Sequence, residues 1–286
     1  MNRRLLLVPL LCVTTVFAFS QGCSDAGFCT MGAMKPDQPF NKKIDFRLRS
    51  MEISLYRATT TTTAKILVAT ADLGFSFTQR TSIQVKIPYL AASGNLGSTS
   101  GLSDISLCLT RNVWSTDKFD INFSVGGKIP TNKSNIQTDG RSFPMYYQTS
   151  LGTYDLILGG SFINRNWLFA VGVQHPFNKN ENGFQWKDWY PPIYKDSAYI
   201  EEHSQALELK RGTDVMIRVE RNFRFSRFNF TVGMLPIYRV ANDEITDPET
   251  GERIKPEGAK GLDTFCDRYG GLQLQRALQR ATAGRK

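Results

Sequence analysis

Apolar and polar residues alternate with a period of two along most of this chain of 286 residues. The pattern is clear from Ile105 to Leu109 and again from Phe119 to Ile129. A period of two is typical of β-strands, whose successive side chains point to opposite faces of a sheet. It predicts an all-β fold. Alternation alone does not decide whether the apolar column faces a protein core, as in a soluble sandwich, or lipid, as in a transmembrane barrel.

The lengths of the predicted strands and loops favour the barrel. Nine strands of about ten residues or slightly more are long enough to cross a bilayer when tilted. Short turns alternate with long loops at 92–101, 130–148, 178–210 and 241–261. Such segregation is typical of outer-membrane barrels, which place turns in the periplasm and loops outside. We therefore predict an antiparallel transmembrane β-barrel over residues 44–261, with these strands: 45–57, 64–77, 81–91, 102–114, 118–129, 149–163, 166–177, 211–225 and 228–240.

Placing each apolar column against lipid assigns a set of charged side chains to the barrel interior. Both signs are represented, so ion pairs across the lumen are expected, because an unpaired buried charge is costly. These charges either brace the barrel or contact a passing solute, and the sequence leaves both roles open. The candidate lumen-lining residues are Lys86, Asp104, Asp120, Lys128, Asp155, Asp214, Arg218 and Glu220.

The amino terminus has the features of an export signal. Two arginines precede an apolar run at residues 5–19, and the small residues Ala18 and Ser20 precede the expected cleavage after residue 20. Residues 21–43 are then expected to form a periplasmic segment. A lipoprotein signal that ends at Cys23 is the alternative.

Export also changes the interpretation of the cysteines. Cys23 and Cys29 are close in sequence, and in an oxidising periplasm we expect them to form a disulfide. A metal site is the alternative, but no histidine or third cysteine lies nearby, so no metal or other cofactor is predicted.

Net charge and motifs argue against two other classes of function. The net charge is +9, but the signal contributes +2 and the last 26 residues +3, and the rest is spread without a basic stripe. Nucleic-acid binding is therefore not expected. Only His175 and His203 could serve as a histidine base, and neither belongs to a recognisable catalytic motif, so the chain is not expected to be an enzyme.

The 178–210 loop is rich in aromatic residues, which is unusual for a solvated loop. It is expected to form a folded cap, a ligand-contacting surface or a self-packed unit. The extracellular-loop candidates are Phe184, Trp186, Trp189, Tyr190 and Tyr194.

Five segments together resemble a known group of proteins: Gln21–Thr30, Lys86–Ser106, Lys128–Thr131, Gln148–Leu158 and Leu235–Arg239. They are similar to uncharacterised outer-membrane β-barrel proteins of Bacteroidetes-type bacteria. More distantly, they resemble transporters of the phenol meta-degradation pathway and hydrophobic-compound channels of the fatty-acid transporter type. The resemblance implies a closed barrel of twelve strands in the cell outer membrane and passive uptake of a small apolar or aromatic molecule. A barrel that binds through its aromatic loop without transport is the alternative.

The carboxyl end departs from that pattern. Asp263 and Asp267 interrupt the alternation, and residues 273–283 predict a basic amphipathic helix or a disordered tail. We therefore expect 262–286 to be an aberrant basic tail, arising from a frameshift or truncation, with closing strands missing. The expected partners are outer-membrane lipid, the barrel assembly machinery and an unidentified small solute.

Overall fold

The computed structural model describes residues 31–35, 47–60, 62–224, 228–255 and 262–272, and for 262–272 the backbone alone. The export signal at 1–20, the Cys23 and Cys29 pair and the tail at 273–286 lie outside the described residues. The predictions about them stay predictions.

The described chain is dominated by one antiparallel sheet that curls into half of a barrel. The strands of this sheet are β1 (Arg47–Thr59), β2 (Lys65–Ser76), β3 (Thr81–Gly94), β4 (Gly97–Leu102), β5 (Ile105–Ser115), β6 (Phe119–Ile129), β9 (Asp155–Asn164), β10 (Trp167–Pro176), β11 (Asp214–Arg224), β12 (Phe228–Arg239) and β15 (Leu262–Leu272). Neighbouring strands are mostly consecutive in sequence, in the order β1-β2-β3-β5-β6-β9-β10-β11-β12-β15, and β4 pairs with the last six residues of β3. The all-β antiparallel prediction is confirmed.

The remaining elements lie in the long connections. Two small hairpins are formed by β7 (Gln137–Thr138) with β8 (Arg141–Ser142) and by β13 (Ile245–Thr246) with β14 (Arg253–Ile254). The helix α1 (Ser197–Glu201) begins at Asp196, whose side chain accepts a hydrogen bond from the amide of Tyr199 at 3.2 Å. These elements lie at the end of the sheet that carries the long loops. In the chain, β7, β8 and α1 precede β11, and β13 and β14 follow β12.

The glycine-rich segment 92–101 is part of a hairpin, whereas the sequence predicted a loop. β3 continues to Gly94, a two-residue turn follows, and β4 returns from Gly97, whose φ of +149° suits glycine. A Cβ at Gly94 would lie 2.2 Å from the hydroxyl oxygen of Tyr147. Glycine therefore permits a loop aromatic to pack directly on the hairpin. Of the predicted strand 102–114, only Leu102 belongs to β4, and the strand itself begins at Ile105 as β5.

Two other strand boundaries differ from the sequence prediction. The strand predicted from residue 149 begins at Asp155, because the preceding segment is held by side chains instead of sheet pairing: the amide of Leu151 donates to Asp104 Oδ2 at 3.0 Å. At the other end, no strand was predicted beyond residue 261, yet β15 pairs with β12 along its whole length. Backbone pairing does not require regular alternation, and this is why the pattern missed it.

Candidate functional site

The two faces of the curled sheet have an inverted polarity, which means that the apolar face is exposed and the polar face is buried. A soluble sheet has the opposite arrangement. The convex face is apolar and exposed; Phe123 is 52% exposed and Val171 is 50% exposed. The concave face carries charged and amide side chains that are buried. Because β-strand side chains alternate, the same strands supply both faces. Exposed apolar residues of the convex face include Leu67, Tyr89, Leu107, Leu109, Val125, Leu158, Phe169, Ile217 and Met234.

A first group of polar side chains lies on the concave face of β1, β2 and β3. Asp72 is its centre. Its Oδ2 atom accepts a hydrogen bond from Gln84 Nε2 at 2.7 Å and lies 3.6 Å from Lys86 Nζ. Lys35 Nζ contacts the same oxygen at 3.3 Å and Glu52 at 3.4 Å. The segment before β1 is thereby tied to the sheet.

A second group links β5, β6, β9 and β10. Lys128 Nζ lies 2.7 Å from Asp155 Oδ2 and 4.0 Å from Asp104 Oδ2. Asp155 also accepts a hydrogen bond from Gln174, and Asp104 accepts one from Ser150. One lysine on β6 thus bridges a buried carboxylate just before β5 and another at the start of β9, the strands on either side of β6.

A third group lies on β11 and β12. Arg218 Nη1 contacts Glu220 Oε1 at 2.6 Å, and these residues are 1% and 0% exposed. A Cβ at Gly233 on β12 would lie 2.8 Å from Glu220 Cγ, so this glycine leaves room for the glutamate.

The same group continues to the loop end of the strands. Arg239 Nε contacts Asp214 Oδ1 at 2.8 Å, and Arg239 Nη1 contacts Asp243 Oδ2 at 2.7 Å. The charged interior therefore extends from the middle of β11 to the base of the long loops.

The structure places seven of the eight predicted lumen residues in these buried groups. The eighth, Asp120, lies at the turn end, is half-buried and accepts a hydrogen bond from Asn112 Nδ2 at 3.3 Å. Sequence reasoning missed Asp72 and Arg239, although their positions in the alternating pattern assign both to the polar column.

The segment 31–35 lies inside the curl of the sheet, which the sequence did not predict. Its 3₁₀ turn, Gly32–Met34, is buried. The amide of Gly32 donates to Gln84 Oε1 at 2.8 Å on β3. Met34 packs in an apolar cluster on the opposite wall, formed by residues of β9 to β12: Ile157, Ile163, Leu168, Ala170, Met216 and Leu235. The segment therefore contacts both sides of the concave face.

Segment 31–35 packs closely against the sheet because small residues stand at the contact. A Cβ at Gly32 would lie 2.5 Å from Cys108 Sγ and 2.9 Å from Ser124 Oγ, and Gly32 has a φ of +50°. A Cβ at Gly159 would lie 3.2 Å from Ala33 Cβ. Larger side chains at these positions would separate the segment from the sheet.

The long loops form a folded cap on the loop end of β2, β3 and β4. Phe184 is 0% exposed and Trp189 is 3% exposed, and both belong to a buried apolar cluster that includes Ile66, Leu90 and Phe143. Trp189 Nε1 donates to the carbonyl of Ser142 at 2.9 Å, and Trp186 Nε1 donates to the carbonyl of His203 at 2.7 Å.

The outer side of the cap is more exposed. Tyr190 donates its hydroxyl to Glu201 at 3.0 Å, and Tyr194 stacks on Tyr199 with ring centroids 5.5 Å apart. Inside the cap, burial lowers the pKa of the fully buried His203. Of the five aromatic loop candidates, two are thus internal to the cap and three lie nearer its surface.

Within the described ranges, no group of three or more His, Cys, Asp or Glu side chains could hold a metal ion. None of the helices in the part of the chain that the structure describes is long and apolar enough to cross a membrane.

Comparison with known proteins finds a likeness among solved structures. No protein-family model matches the chain, and no curated protein matches it. Among solved structures, the chain is similar to the crystal structure of the COG4313 outer membrane channel from Pseudomonas putida F1. The TM-score is 0.49 and the sequence identity 12%, over 79% of this chain and 80% of that chain. The strand order described above defines the class of fold, which is an all-β antiparallel sheet curled as half of a barrel.

Proposed function

We propose that this chain is an outer-membrane β-barrel protein that passes small molecules passively across the membrane. The inverted polarity of the sheet is the observation that carries the proposal. A soluble sheet that exposed so large an apolar face would aggregate, whereas a barrel in lipid needs an apolar outside and a polar interior.

The spacing of aromatic residues on the convex face supports a membrane setting. Trp167 and Phe177 stand at the two ends of β10, ten residues apart. At about 3.3 Å per residue this is roughly 33 Å along the strand, or about 25 Å along the normal of a bilayer for a strand tilted by about 40°. That height is close to the apolar band of outer-membrane barrels. Tyr154 and Tyr238 at the loop end and Trp114 at the turn end are also exposed.

The concave face supports passage of small solutes. Its three polar groups offer both charges and amides, and segment 31–35 occupies part of the space between the walls. The resemblance in sequence implied an apolar or aromatic solute. The described lining is apolar mainly in the cluster around Met34, so we propose a small solute that carries polar groups.

The alternative is a barrel that binds a ligand through its aromatic loop without transport. Trp189 and Phe184 are enclosed in the cap and would not contact a ligand in this conformation. Only Trp186, Tyr190 and Tyr194 remain for such a surface. The interior charge groups would then serve for bracing alone.

Two measurements on the purified full chain test the proposal. Unheated protein from outer membranes should run faster on a gel than boiled protein, as closed barrels do. Liposomes that contain the folded protein should then swell in sugars and amino acids, at rates that fall with solute size. A folded barrel without solute flux would favour the binding alternative, and recovery from the periplasm without detergent would overturn the membrane assignment.

A further inference from the structure

The convex face at the loop end of β1 to β4 carries a groove of about 520 Å³, here called the rim groove. Its lining is basic and rich in hydroxyl groups, in contrast to the apolar surface beside it. The lining residues are Arg57, Lys65, Ile66, Leu67, Ala91, Ala92, Ser93, Ser98, Thr99 and Ser100.

The strand register shows how the surface changes toward the rim. Leu55, Ala69, Tyr89 and Leu102 pair across the four strands and form an apolar row. The next row toward the loops is mixed and contains Arg57, Leu67, Ala91 and Ser100. The following row contains Lys65, Ser93 and Ser98. The surface therefore changes from apolar to polar over two rows, or about 13 Å along a strand.

The two cations of the rim groove lie on adjacent strands and are neighbours. Lys65 is two residues from Leu67, the residue that pairs with Arg57, so the two side chains are diagonal neighbours whose starting points lie about 7–8 Å apart. Both are exposed, and neither makes an ion pair with a described residue. None of the described residues that line the groove carries a carboxylate.

We infer that the rim groove binds the phosphate groups of an anionic glycolipid in the outer leaflet of the membrane. Arg57 and Lys65 would contact phosphate oxygens, and the serine hydroxyls would donate to the same phosphates or to the sugar. The acyl chains would lie along the row of Leu55, Tyr89 and Leu102. The inference rests on the proposed function, because only a barrel with its loops outside puts this rim at the outer headgroups.

The test measures binding of a glucosamine-disaccharide lipid with two phosphates to the full chain in nonionic detergent, by native mass spectrometry and titration. The double variant R57Q/K65Q should bind about 25-fold more weakly, at about 5-fold for each cation near an anionic surface. The same lipid without phosphates should bind the unchanged protein as weakly as it binds the variant. Equal affinity of the variant and the unchanged protein would overturn the inference.

The matched control is R80Q/R111Q, which removes two exposed cations from the turn end of the sheet. It should leave lipid affinity unchanged, and an equal loss there would show that general charge, not the rim groove, attracts the lipid. Displacement of the lipid by inorganic phosphate at equal concentration would show a free-phosphate site and would also overturn the inference.

The outcome is separable from that of the proposed function. The R57Q/K65Q variant should keep its heat-dependent gel mobility and its solute flux, because neither residue faces the interior. Intact flux with unchanged lipid affinity would refute the rim groove alone. Loss of both gel mobility and flux in the unchanged protein would refute the channel itself.

Discussion

At the residue scale, the buried ion pair of Arg218 and Glu220 is expected to contribute strongly to stability. Arg218 and Glu220 are fully buried and 2.6 Å apart. Replacing Glu220 by Gln removes the negative charge from this buried pair, so E220Q should lower the free energy of unfolding by about 3–5 kcal/mol. Urea titration of the protein in detergent measures this difference.

The control for E220Q is D139N, because Asp139 and Arg141 form an exposed pair at 3.0 Å. An exposed pair contributes about 0–1 kcal/mol, so D139N should change the unfolding midpoint little. Equal effects of the two substitutions would show that the Arg218 site is solvated and contributes no special stability.

A second residue-scale prediction concerns the packing of segment 31–35 against the sheet. In G32V the added side chain would collide with Cys108 and displace the segment. With the other four cysteines replaced by serine, the buried Cys108 should react with a maleimide on the order of tenfold faster, equivalent to about 1.4 kcal/mol of weakened seating.

G140V is the matched control for G32V. Gly140 also has a positive φ, at +77°, but a Cβ there has no atom within 4 Å. The backbone strain is therefore similar and the collision is missing, so Cys108 labelling should stay slow. Fast labelling in the unchanged protein would mean that the segment does not occupy the interior in solution.

At the element scale, the sequence predicted the main strands well and the connections poorly. The alternating pattern predicts the ends of β6, β10 and β12 to within a few residues. It does so because apolar and polar side chains alternate in these strands together with the outward and inward faces of the sheet. The β3–β4 hairpin was missed because small residues such as Gly97 carry no alternating pattern. The cap and the inserted segment 31–35 depend on contacts between residues far apart in sequence, such as Gly32 with Gln84, which no local pattern reveals.

The cap should respond to pH through His203. Its Nδ1 lies 3.0 Å from the carbonyl of Tyr199, and its Nε2 has no hydrogen-bond partner among the residues that the structure describes. Burial lowers its pKa despite the nearby Glu202. Folding of the cap thus favours the neutral ring. The stabilisation is complete above the unfolded pKa of about 6.5 and is lost as the pH falls below it, at up to about 1.4 kcal/mol per pH unit.

Fluorescence of the cap tryptophans can measure this response. Acidification from pH 8 to pH 5 should shift the emission of Trp186 and Trp189 to longer wavelength in the unchanged protein, and H203F should abolish the shift. H175Q, which alters an exposed histidine, should behave like the unchanged protein. A shift that persists in H203F would assign the pH response to another group.

At the scale of the whole molecule, the sheet is a curved wall with lipid-compatible residues outside and ion pairs inside. The strand order ends at β1 on one side and at β15 on the other. Strand edges in a bilayer need hydrogen-bond partners, because unsatisfied backbone groups cost several kcal/mol each in lipid. The alternation predicted which side chains lie on each face. It could not predict how far the sheet curls, because curvature depends on packing between distant strands.

The most direct test of the membrane assignment compares two neighbouring residues on opposite faces of β6. Phe123 points outward and is exposed, whereas Asn122 points inward and accepts a hydrogen bond from Asn112 at 3.0 Å. A fluorophore is attached to F123C or to N122C in a protein without other cysteines, and quenching by lipids with brominated acyl chains is measured. Strong quenching at position 123 and little at position 122 is the predicted result. Equal quenching, or stronger quenching at position 122, would contradict an outward apolar face in lipid.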